Sequence, residues 1–372
     1  MDKPQLIKDQ LGQHAVITLS QTLSNVMDGF PAEQFIIDAN AGFDELALKQ
    51  RVSHLITVLA NYLPVDFIGA AKVLIAIKLH WQQTDANASW SSFTVWPLID
   101  YVAVYGLEQP ELALNVLKTL TPLFTAEFAL RPFIEQHFEL TYRHLLTWCN
   151  DEDAHVRRLA SEGIRPRLPW GKQLSQLRKD PQAIFQILEL LKDDSSLYVQ
   201  KSVANNLNDI AKDHPDEVIK LCQHWQRDAT DERFWIIRHG LRSLVKAGRA
   251  DVFPLLGYSE KLAIKIAQFK LAETEIKVGQ NLTISVLLLS RSTDRQKMVI
   301  DYRIYHVKAN GTLTNKVFKW RNISLAPQQA VALQKRHSFK LISTRKYYAG
   351  KHAIELLING VSYGKIKFNL VL

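Results

Sequence analysis

Charged and aromatic residues are concentrated at residues 153–170, which read DAHVRRLASEGIRPRLPW. The spacing predicts a helix that begins near the first aspartate and ends at Gly163, ahead of two prolines. Arg158, Glu162 and Arg165 stand at i, i+4 and i+7, so they share one face while the helix lasts. Glu162 falls in the last turn, where the helix dipole disfavours a carboxylate by up to ~1 kcal/mol. It is either paired with Arg158 on the surface, which contributes about 0.3 to 0.5 kcal/mol, or kept for chemistry.

Motifs for cofactor-dependent chemistry are absent from the sequence. It has no GxxxxGK[ST] phosphate loop, no GxGxxG turn, no GxSxG nucleophile elbow and no HExxH helix. The twelve histidines are dispersed, and Cys149 and Cys222 lack partners at zinc-site spacing. We therefore expect no cofactor, neither metal nor nucleotide. The chemistry that remains is that of carboxylates and aromatic rings.

The N-terminal residues, the apolar runs and the cysteines predict where in the cell the protein is located. The start, MDKPQLIKDQ, lacks the apolar core of a signal peptide, and no uncharged apolar stretch reaches the roughly 18 residues of a membrane span. Two cysteines cannot form a disulfide framework, so both are predicted to be buried, reduced thiols. These features predict a cytoplasmic protein with no membrane partner.

Charge is distributed unequally along the chain. A chain of 372 residues exceeds a typical single domain, so two or more folding units are expected. Residues 260–372 hold 20 Lys and Arg against 6 Asp and Glu, a formal charge of +14, whereas residues 1–259 carry −5. A domain of such charge attracts polyanions, and nucleic acid is the expected one. The alternative is a domain kept soluble by its lysines.

Residues 1–257 predict helix after helix, with a weak internal repeat. Three similar segments lie around Val156, Val199 and Ile236, at separations of 43 and 37 residues. These separations suit helix-pair repeats of the HEAT or armadillo kind. Polar residues recur in each segment at a spacing of four: Arg158 with Glu162, Lys201 with Asn205 and Asp209, and Arg238 with Arg242 and Lys246. Stacked repeats would align these residues as a basic groove containing carboxylates, although solvated helix faces carry similar residues.

From residue 258 the apolar period changes from 3.6 to 2. Seven alternating segments follow, separated by turns such as KANGT and NGVSYG, which predicts an immunoglobulin-like sandwich without the Cys–Trp–Cys pattern of antibody domains. The predicted fold class is therefore multidomain, α then β. An all-α HEAT-like repeat solenoid, residues 1–257, precedes an immunoglobulin-like β-sandwich, residues 258–372.

Three long blocks carry a resemblance to a known family: VRRLASEGIRPRLPW, YVQKSVANNLNDIAKDHPDEV and IIRHGLRSLVKAG. They resemble the signature blocks of the AlkC branch of bacterial DNA alkylation-repair glycosylases, relatives of AlkD built from HEAT-like repeats. The resemblance covers residues 1–257 and extends to the basic Ig-like domain that some AlkC proteins append. Gln200 stands where this pattern leads us to expect an arginine.

The resemblance implies a monofunctional glycosylase that removes small cationic methylated bases, such as 3-methyladenine and 3-methylcytosine, from duplex DNA. The family exposes the lesion by bending DNA rather than by flipping the base, and the basic sandwich would clamp the duplex. Because alkylation makes the base a cationic leaving group, the enzyme needs only carboxylates that stabilise an oxocarbenium-like sugar and position water. The implied protein is a monomer whose partner is duplex DNA with alkylated bases.

Candidate residues follow from the resemblance and from the required chemistry. The catalytic candidates are, in order, Glu162, Glu127 and Asp209, and the aromatic residues for stacking on the lesion are Trp170 and, in reserve, Trp148. The candidates for DNA phosphate contacts are Arg131, Arg158, Arg165, Lys201, Arg238 and Arg242. Each carboxylate and each tryptophan has a structural alternative. Glu127 could be a carboxylate at a helix N-terminus, Asp209 a partner of its own helix face, and either tryptophan a core residue.

A different class of protein also fits the pattern. HEAT-like repeats are often scaffolds, and a basic Ig-like domain can be a docking module, so a non-catalytic DNA-binding or protein-scaffold module is the alternative. Release of methylated bases from duplex DNA distinguishes the two.

Overall fold

The computed structural model describes residues 7–81, 91–342 and 345–372, and shows helices followed by strands. The predicted order, α then β, is therefore confirmed. The α-helices of the described residues are α1 (Gln13–Val26), α2 (Ala32–Asn40), α3 (Leu48–Tyr62), α4 (Phe67–His80), α5 (Trp96–Tyr105), α6 (Pro110–Leu120), α7 (Arg131–Gln136), α8 (Phe138–Trp148), α9 (Ala154–Gly163), α10 (Ser175–Lys179), α11 (Gln182–Leu191), α12 (Leu197–Ile210), α13 (Pro215–Gln226), α14 (Asp231–Gly240) and α15 (Arg242–Ala247).

The chain forms two compact units. One comprises Met1–Asp213 with Thr230–Ile236, and the other His214–Ala229 with Ile237–Leu372. The second unit thus contains α13 and α15 as well as the strands. The change from helices to strands falls between the 3-10 turn Pro254–Leu256 and the first strand. The domain boundary at residues 257 and 258 stays a prediction.

Within the first unit, α9 packs against α8, α11 and α12. Leu159 of α9, Ile187 of α11 and Val203 of α12 are all fully buried. Packing between helices one to three elements apart is the pattern expected of stacked helix pairs. This packing brings the polar faces of α9 and α12 together.

Among the described residues, no single helix has the length and apolarity needed to cross a membrane. Helices α3 and α4 have the required length and apolarity only when they are taken together, and the two helices are bent by 113° at their junction.

Among the described residues from 258 onward, eight strands make up the β part. They are β1 (Ile264–Leu271), β2 (Glu275–Lys277), β3 (Asn281–Ser290), β4 (Gln296–Val307), β5 (Leu313–Leu325), β6 (Ala330–Ser338), β7 (Gly350–Ile358) and β8 (Val361–Val371). One sheet has the order β1-β3-β6 and the other β2-β8-β7-β4-β5. The seven predicted strands are all present. The eighth, β2, escaped prediction because three residues are too few to show an alternation.

The five-stranded sheet has an apolar face and a basic face. Tyr302, Ile304 and Phe368 lie in the core. The registers place Arg303 of β4 opposite Glu355 of β7, and Glu355 opposite Lys365 of β8, on the other face. Exposed lysines on that face are Lys319, Lys351, Lys365 and Lys367. Part of the +14 charge of the C-terminal third is therefore gathered on one side of a sheet.

Candidate active site

Helix α9 begins and ends where the sequence predicts. Asp153 is the N-cap, and its side chain accepts a hydrogen bond from the backbone N–H of His155 at 2.8 Å. The helix ends at Gly163, where a Cβ would lie 2.3 Å from Cδ2 of Leu130. Glycine thus lets the C-terminal turn of α9 pack closely against the residue before α7. This close packing fixes the position of Glu162 in the last turn.

Arg158 connects α9 to the turn that precedes α7. Its Nη1 donates to Oε2 of Glu127 and to Oγ1 of Thr125, both at 2.8 Å. Thr125 in turn donates to the same Glu127 oxygen at 2.7 Å. Glu127 lies in this turn rather than in a helix. The alternative that Glu127 is a carboxylate at a helix N-terminus therefore does not explain its position. The guanidinium of Arg158 also covers the ring of Tyr198, 4.7 Å from its centroid.

Arg165 lies just beyond the helix and joins the other two carboxylates. Its Nη1 donates to Oε1 of Glu162 at 2.6 Å, and its Nε and Nη2 donate to Oδ2 of Asp209 at 2.9 and 2.6 Å. Lys212 donates to the second oxygen of Asp209 at 2.8 Å. All three predicted carboxylates therefore belong to one buried cluster, together with Arg158 and Arg165.

Helix α12 contributes neutral polar groups to the same cluster. Ser202 donates to Oε2 of Glu162 at 2.5 Å, and Asn206 donates to the backbone carbonyl of Ser161 at 2.9 Å. Both side chains are buried. Because they hold the last turn of α9 from the neighbouring helix, Glu162 has a fixed orientation. Ser202 was not among the predicted site residues, although it lies beside Lys201 in one of the three family-like blocks.

The charged groups of this carboxylate cluster differ in how deeply they are buried. Glu127, Glu162 and Asp209 are each less than one-tenth exposed, and so is Arg165, while Lys212 is much more exposed at 44% of its side chain. Burial by itself lowers the pKa of the Arg158 guanidinium, but Glu162 and Glu127 outweigh it and raise that pKa. The same balance of burial against Glu162 and Asp209 raises the pKa of Arg165. Three buried carboxylates thus face two firmly protonated arginines inside the cluster, and the third cation, Lys212, pairs with Asp209 from a more exposed position.

A cavity of about 270 Å³ opens onto this cluster. Glu127, Glu162 and Arg165 line it together with Trp96, Phe128 and Trp170. Trp96 stacks on Phe124 and on Phe128 with ring centroids 5.7 Å apart in both pairs. The cavity thus brings carboxylates and aromatic rings together, and both kinds of group attract cations.

The three carboxylates differ in how many of their oxygens are committed. Both oxygens of Glu162 and both of Asp209 accept hydrogen bonds from side chains. Among the described residues, Oε1 of Glu127 accepts no hydrogen bond, whereas Oε2 accepts two. Glu127 is therefore the carboxylate with an oxygen left for a ligand or a water molecule.

Trp170 is held in an unusual backbone conformation. Its φ is 64°, in the left-handed region that a bulky residue rarely adopts. Nζ of Lys49 donates to its carbonyl oxygen at 2.7 Å, across 121 residues of sequence. The side chain is 61% exposed, so the indole is accessible. An exposed aromatic residue that lines the cavity fits the predicted stacking role.

The reserve tryptophan has a different environment. The side chain of Trp148 is 2% exposed and lies beside His144, with ring centroids 5.9 Å apart. It presents no face to a ligand, because α8 turns it into the core. The structure thus places Trp148 in the core, which was the alternative given for it.

The predicted phosphate ligands fall into two groups. Arg131, 2% exposed, donates to the backbone carbonyls of Lys172, Gly163 and Arg165. Arg158 and Arg165 bind carboxylates, so a phosphate would have to displace protein partners from all three arginines. Lys201 and Arg238 are exposed, and Arg242 is half-buried and donates to the carbonyl of His239. Gln200, at the position expected to hold arginine, is buried and donates to the carbonyl of Asp194.

Within the described residues, no three His, Cys, Asp or Glu side chains are placed to hold a metal ion.

Comparisons with known proteins match both parts of the chain. Residues 124–256 match the family model described as DNA alkylation repair enzyme, and residues 265–372 match that of the C-terminal Ig-like domain of the uncharacterised protein YhaZ. The uncharacterized protein YhaZ of Bacillus subtilis (strain 168) is 38% identical over 329 residues, which is 88% of each chain.

A solved structure extends the likeness to the whole chain. The alkylpurine DNA glycosylase AlkC of Pseudomonas fluorescens, bound to DNA containing an abasic site analog, is 35% identical. The match covers 99% of this chain and all of that one, with a TM-score of 0.88. A helical region followed by an Ig-like domain is thus an arrangement that this chain shares with a DNA alkylation repair protein over its whole length. The chain belongs to the AlkC-like, or YhaZ, family of these proteins.

Proposed function

We propose that this protein is a DNA glycosylase that hydrolyses the N-glycosidic bond of small cationic methylated bases, 3-methyladenine and 3-methylcytosine, in duplex DNA. The observation that carries the proposal is the cavity in which Glu127 and Glu162 lie beside the accessible indole of Trp170. The likeness to an alkylpurine DNA glycosylase over the full length of the chain supports it.

The chemistry requires little beyond negative charge and a positioned water molecule. Methylation at a ring nitrogen makes the base a cation, so it leaves the sugar as a neutral molecule without a general acid. As the C1′–N bond breaks, positive charge develops on the sugar. A carboxylate stabilises this charge strongly in a buried site. Water then adds its hydroxyl to C1′ and loses its proton.

Glu127 is the residue we assign to contact with the reacting atoms. Its free Oε1 can accept a proton from water or face the cationic sugar, while Thr125 and Arg158 fix its other oxygen. Glu162 and Asp209 supply further negative charge and orient Arg165 and, through it, the cavity wall. This assignment reverses the order of Glu162 and Glu127 that the sequence alone favoured.

Trp170 provides selectivity for a charged base. An indole face attracts a cation by about 0.5 to 2 kcal/mol relative to a neutral base, which corresponds to a factor of about 2 to 30. Normal bases are neutral and gain nothing from the carboxylates either. The same two features therefore favour methylated bases and leave undamaged DNA intact.

Binding to the duplex rests on the basic surfaces. We assign phosphate contacts to the exposed Lys201 and Arg238 and to the basic face of the five-stranded sheet, where Lys319, Lys365 and Lys367 are exposed. The sandwich would clamp the duplex while the helical part bends it to expose the lesion without flipping it. Bending costs about 1 to 6 kcal/mol, which such contacts can offset. A cytoplasmic monomer remains our expectation.

The test is direct. Purified protein is incubated with duplex DNA methylated by a simple alkylating agent, and the released bases are identified by mass spectrometry. We expect 3-methyladenine and 3-methylcytosine in solution and abasic sites in the DNA. Tight DNA binding with no released base would instead make the protein a non-catalytic DNA-binding module.

A further inference from the structure

A second cavity, of about 330 Å³, shares Trp96, Phe128 and Trp170 with the active-site cavity. Most of its remaining walls come from α3, α5 and α7 and include Lys49, Asp100 and Arg131. Its volume lies at the lower end of the roughly 300 to 1,000 Å³ typical of ligand sites. Nothing in the hydrolysis described above uses this space.

Two residues of this second cavity keep polar atoms unpaired. Oδ2 of Asp100 accepts a hydrogen bond from the indole N–H of Trp96 at 2.7 Å. Oδ1 of Asp100 is buried and, like Nη2 of Arg131, has no hydrogen-bond partner among the described residues. Buried polar groups are nearly always paired, so each unpaired atom indicates a missing partner.

The raised pKa of Asp100 is consistent with a buried carboxyl group that lacks a hydrogen-bond partner. Burial raises its pKa to about 6, against the opposing hydrogen bond from Trp96 and the charge of Lys49. The two lysines that line the cavity are already engaged. Lys49 donates to the carbonyl of Trp170 at 2.7 Å, and Lys172 donates to Glu135 at 2.8 Å. The second cavity therefore favours a ligand with a hydrogen-bond donor over an anion.

We propose that this second cavity binds the free methylated base after its release, as a product site adjoining the active site. The inference rests on the proposed glycosylase function. A methylated adenine carries an amino donor beside a ring-nitrogen acceptor, which match the unpaired Asp100 oxygen and Arg131 N–H in kind. Trp96, Phe128 and Trp170 supply aromatic surface for its ring. Because these three aromatics line both cavities, a released base has only a short distance to travel.

Isothermal titration of the full-length protein with free 3-methyladenine, in the absence of DNA, tests the proposal. We expect saturable binding to one site. Asp100→Asn keeps the size of the side chain but loses its charge, and should weaken binding by at least ~10-fold, since charge-assisted hydrogen bonds are the strong ones. Ala103→Phe, which adds volume from α5, should also weaken it. Glu108→Gln removes an exposed charge outside both cavities and should match the wild type.

Two results would overturn the product site. One is the absence of saturable binding by a wild-type protein that excises 3-methyladenine from DNA. The other is binding that Glu127→Gln weakens while Asp100→Asn and Ala103→Phe do not, since that would place the free base at the carboxylate cluster. A protein that binds the base as expected but excises nothing would refute the proposed glycosylase and leave a heterocycle-binding cavity.

Discussion

Glu127→Gln is the substitution that tests the assigned chemistry most directly. Glutamine has the shape of glutamate, and its carbonyl oxygen can still accept hydrogen bonds from Thr125 and Arg158, which now bind Oε2 at 2.7 and 2.8 Å. The change therefore removes one negative charge and replaces the free oxygen with an amide NH₂. That NH₂ group would point its partial positive charge at the developing cation.

The expected magnitude follows from the loss of one electrostatic stabiliser. Removing such a group lowers the rate by about 10²- to 10³-fold, or roughly 2.7 to 4 kcal/mol. We expect this loss in single-turnover excision of 3-methyladenine from duplex DNA, with DNA affinity largely kept. Arg158 still has Glu162 at 3.5 Å, so the variant should remain folded.

Glu162→Gln provides the informative comparison. It should also lower excision by at least about 10²-fold, but by a different route. It weakens the 2.6 Å ion pair with Arg165 and the buried bond from Ser202, so its urea midpoint should fall as well. Breaking a buried ion pair outright costs about 3 to 5 kcal/mol, and the amide should cost less.

The matched control is Glu111→Gln. Its carboxylate is 71% exposed and pairs with His144, so excision and stability should stay near the wild type. Near-normal single-turnover excision by Glu127→Gln would refute the assignment of Glu127 to the reacting atoms. If Glu162→Gln alone lost activity without losing stability, Glu162 would take that role instead.

Three further predictions concern the tryptophans, the basic face and the sandwich core. Trp170→Ala should reduce excision of cationic bases by about 2- to 30-fold without destabilising the protein, because the side chain is 61% exposed. Trp148→Ala should instead lower the free energy of unfolding by about 3 to 5 kcal/mol, as measured in urea. Replacing Lys365 and Lys367 by Gln should reduce the log–log salt slope of duplex binding by about 0.9 for each phosphate that the protein no longer neutralises, whereas Lys78→Gln on α4 should not. An unchanged slope would require another partner for the basic face. Burial lowers the pKa of His306 to about 3 and that of His337 to about 4. Because both folded-state values lie below the ordinary 6.5, the unfolded chain binds more protons in acid. Stability is therefore full above about pH 6.5 and should fall by up to roughly 1.4 kcal/mol per pH unit for each histidine as the pH drops toward 4. A urea midpoint that is equal at pH 7.5 and 5 would contradict this.

Local pattern was enough for the sandwich strands and for helix α9. Alternation of apolar residues located seven strands, and an N-cap aspartate with a terminal glycine located the ends of α9, because both signals depend on neighbours in the sequence. Glu162 was found for the same reason. A carboxylate in the last turn of a helix is visible from spacing alone.

Which carboxylate has a free oxygen could not be read from the sequence. The pairing of Arg158 with Glu127 joins residues 31 positions apart, and that of Arg165 with Asp209 joins residues 44 apart. Arg131 has an arginine's charge, which suggested a phosphate ligand. Three backbone carbonyls of distant residues accept hydrogen bonds from its Nε and Nη1 and hold it in the core.

The sequence by itself determined the order of helices and strands, the excess of basic residues in the last third and the residue types at the carboxylate cluster. The first two follow from local periodicity and composition, and the third from the family resemblance and the chemistry it requires, none of which depends on tertiary contacts. Only the tertiary structure decided which side chains meet, which tryptophan is accessible and which polar atoms stay unpaired. Those depend on how α9 packs between α8 and α12, and on the hydrogen bond from Lys49 to Trp170. Burial and hydrogen bonding between distant segments are properties of that packing, and no local pattern encodes them.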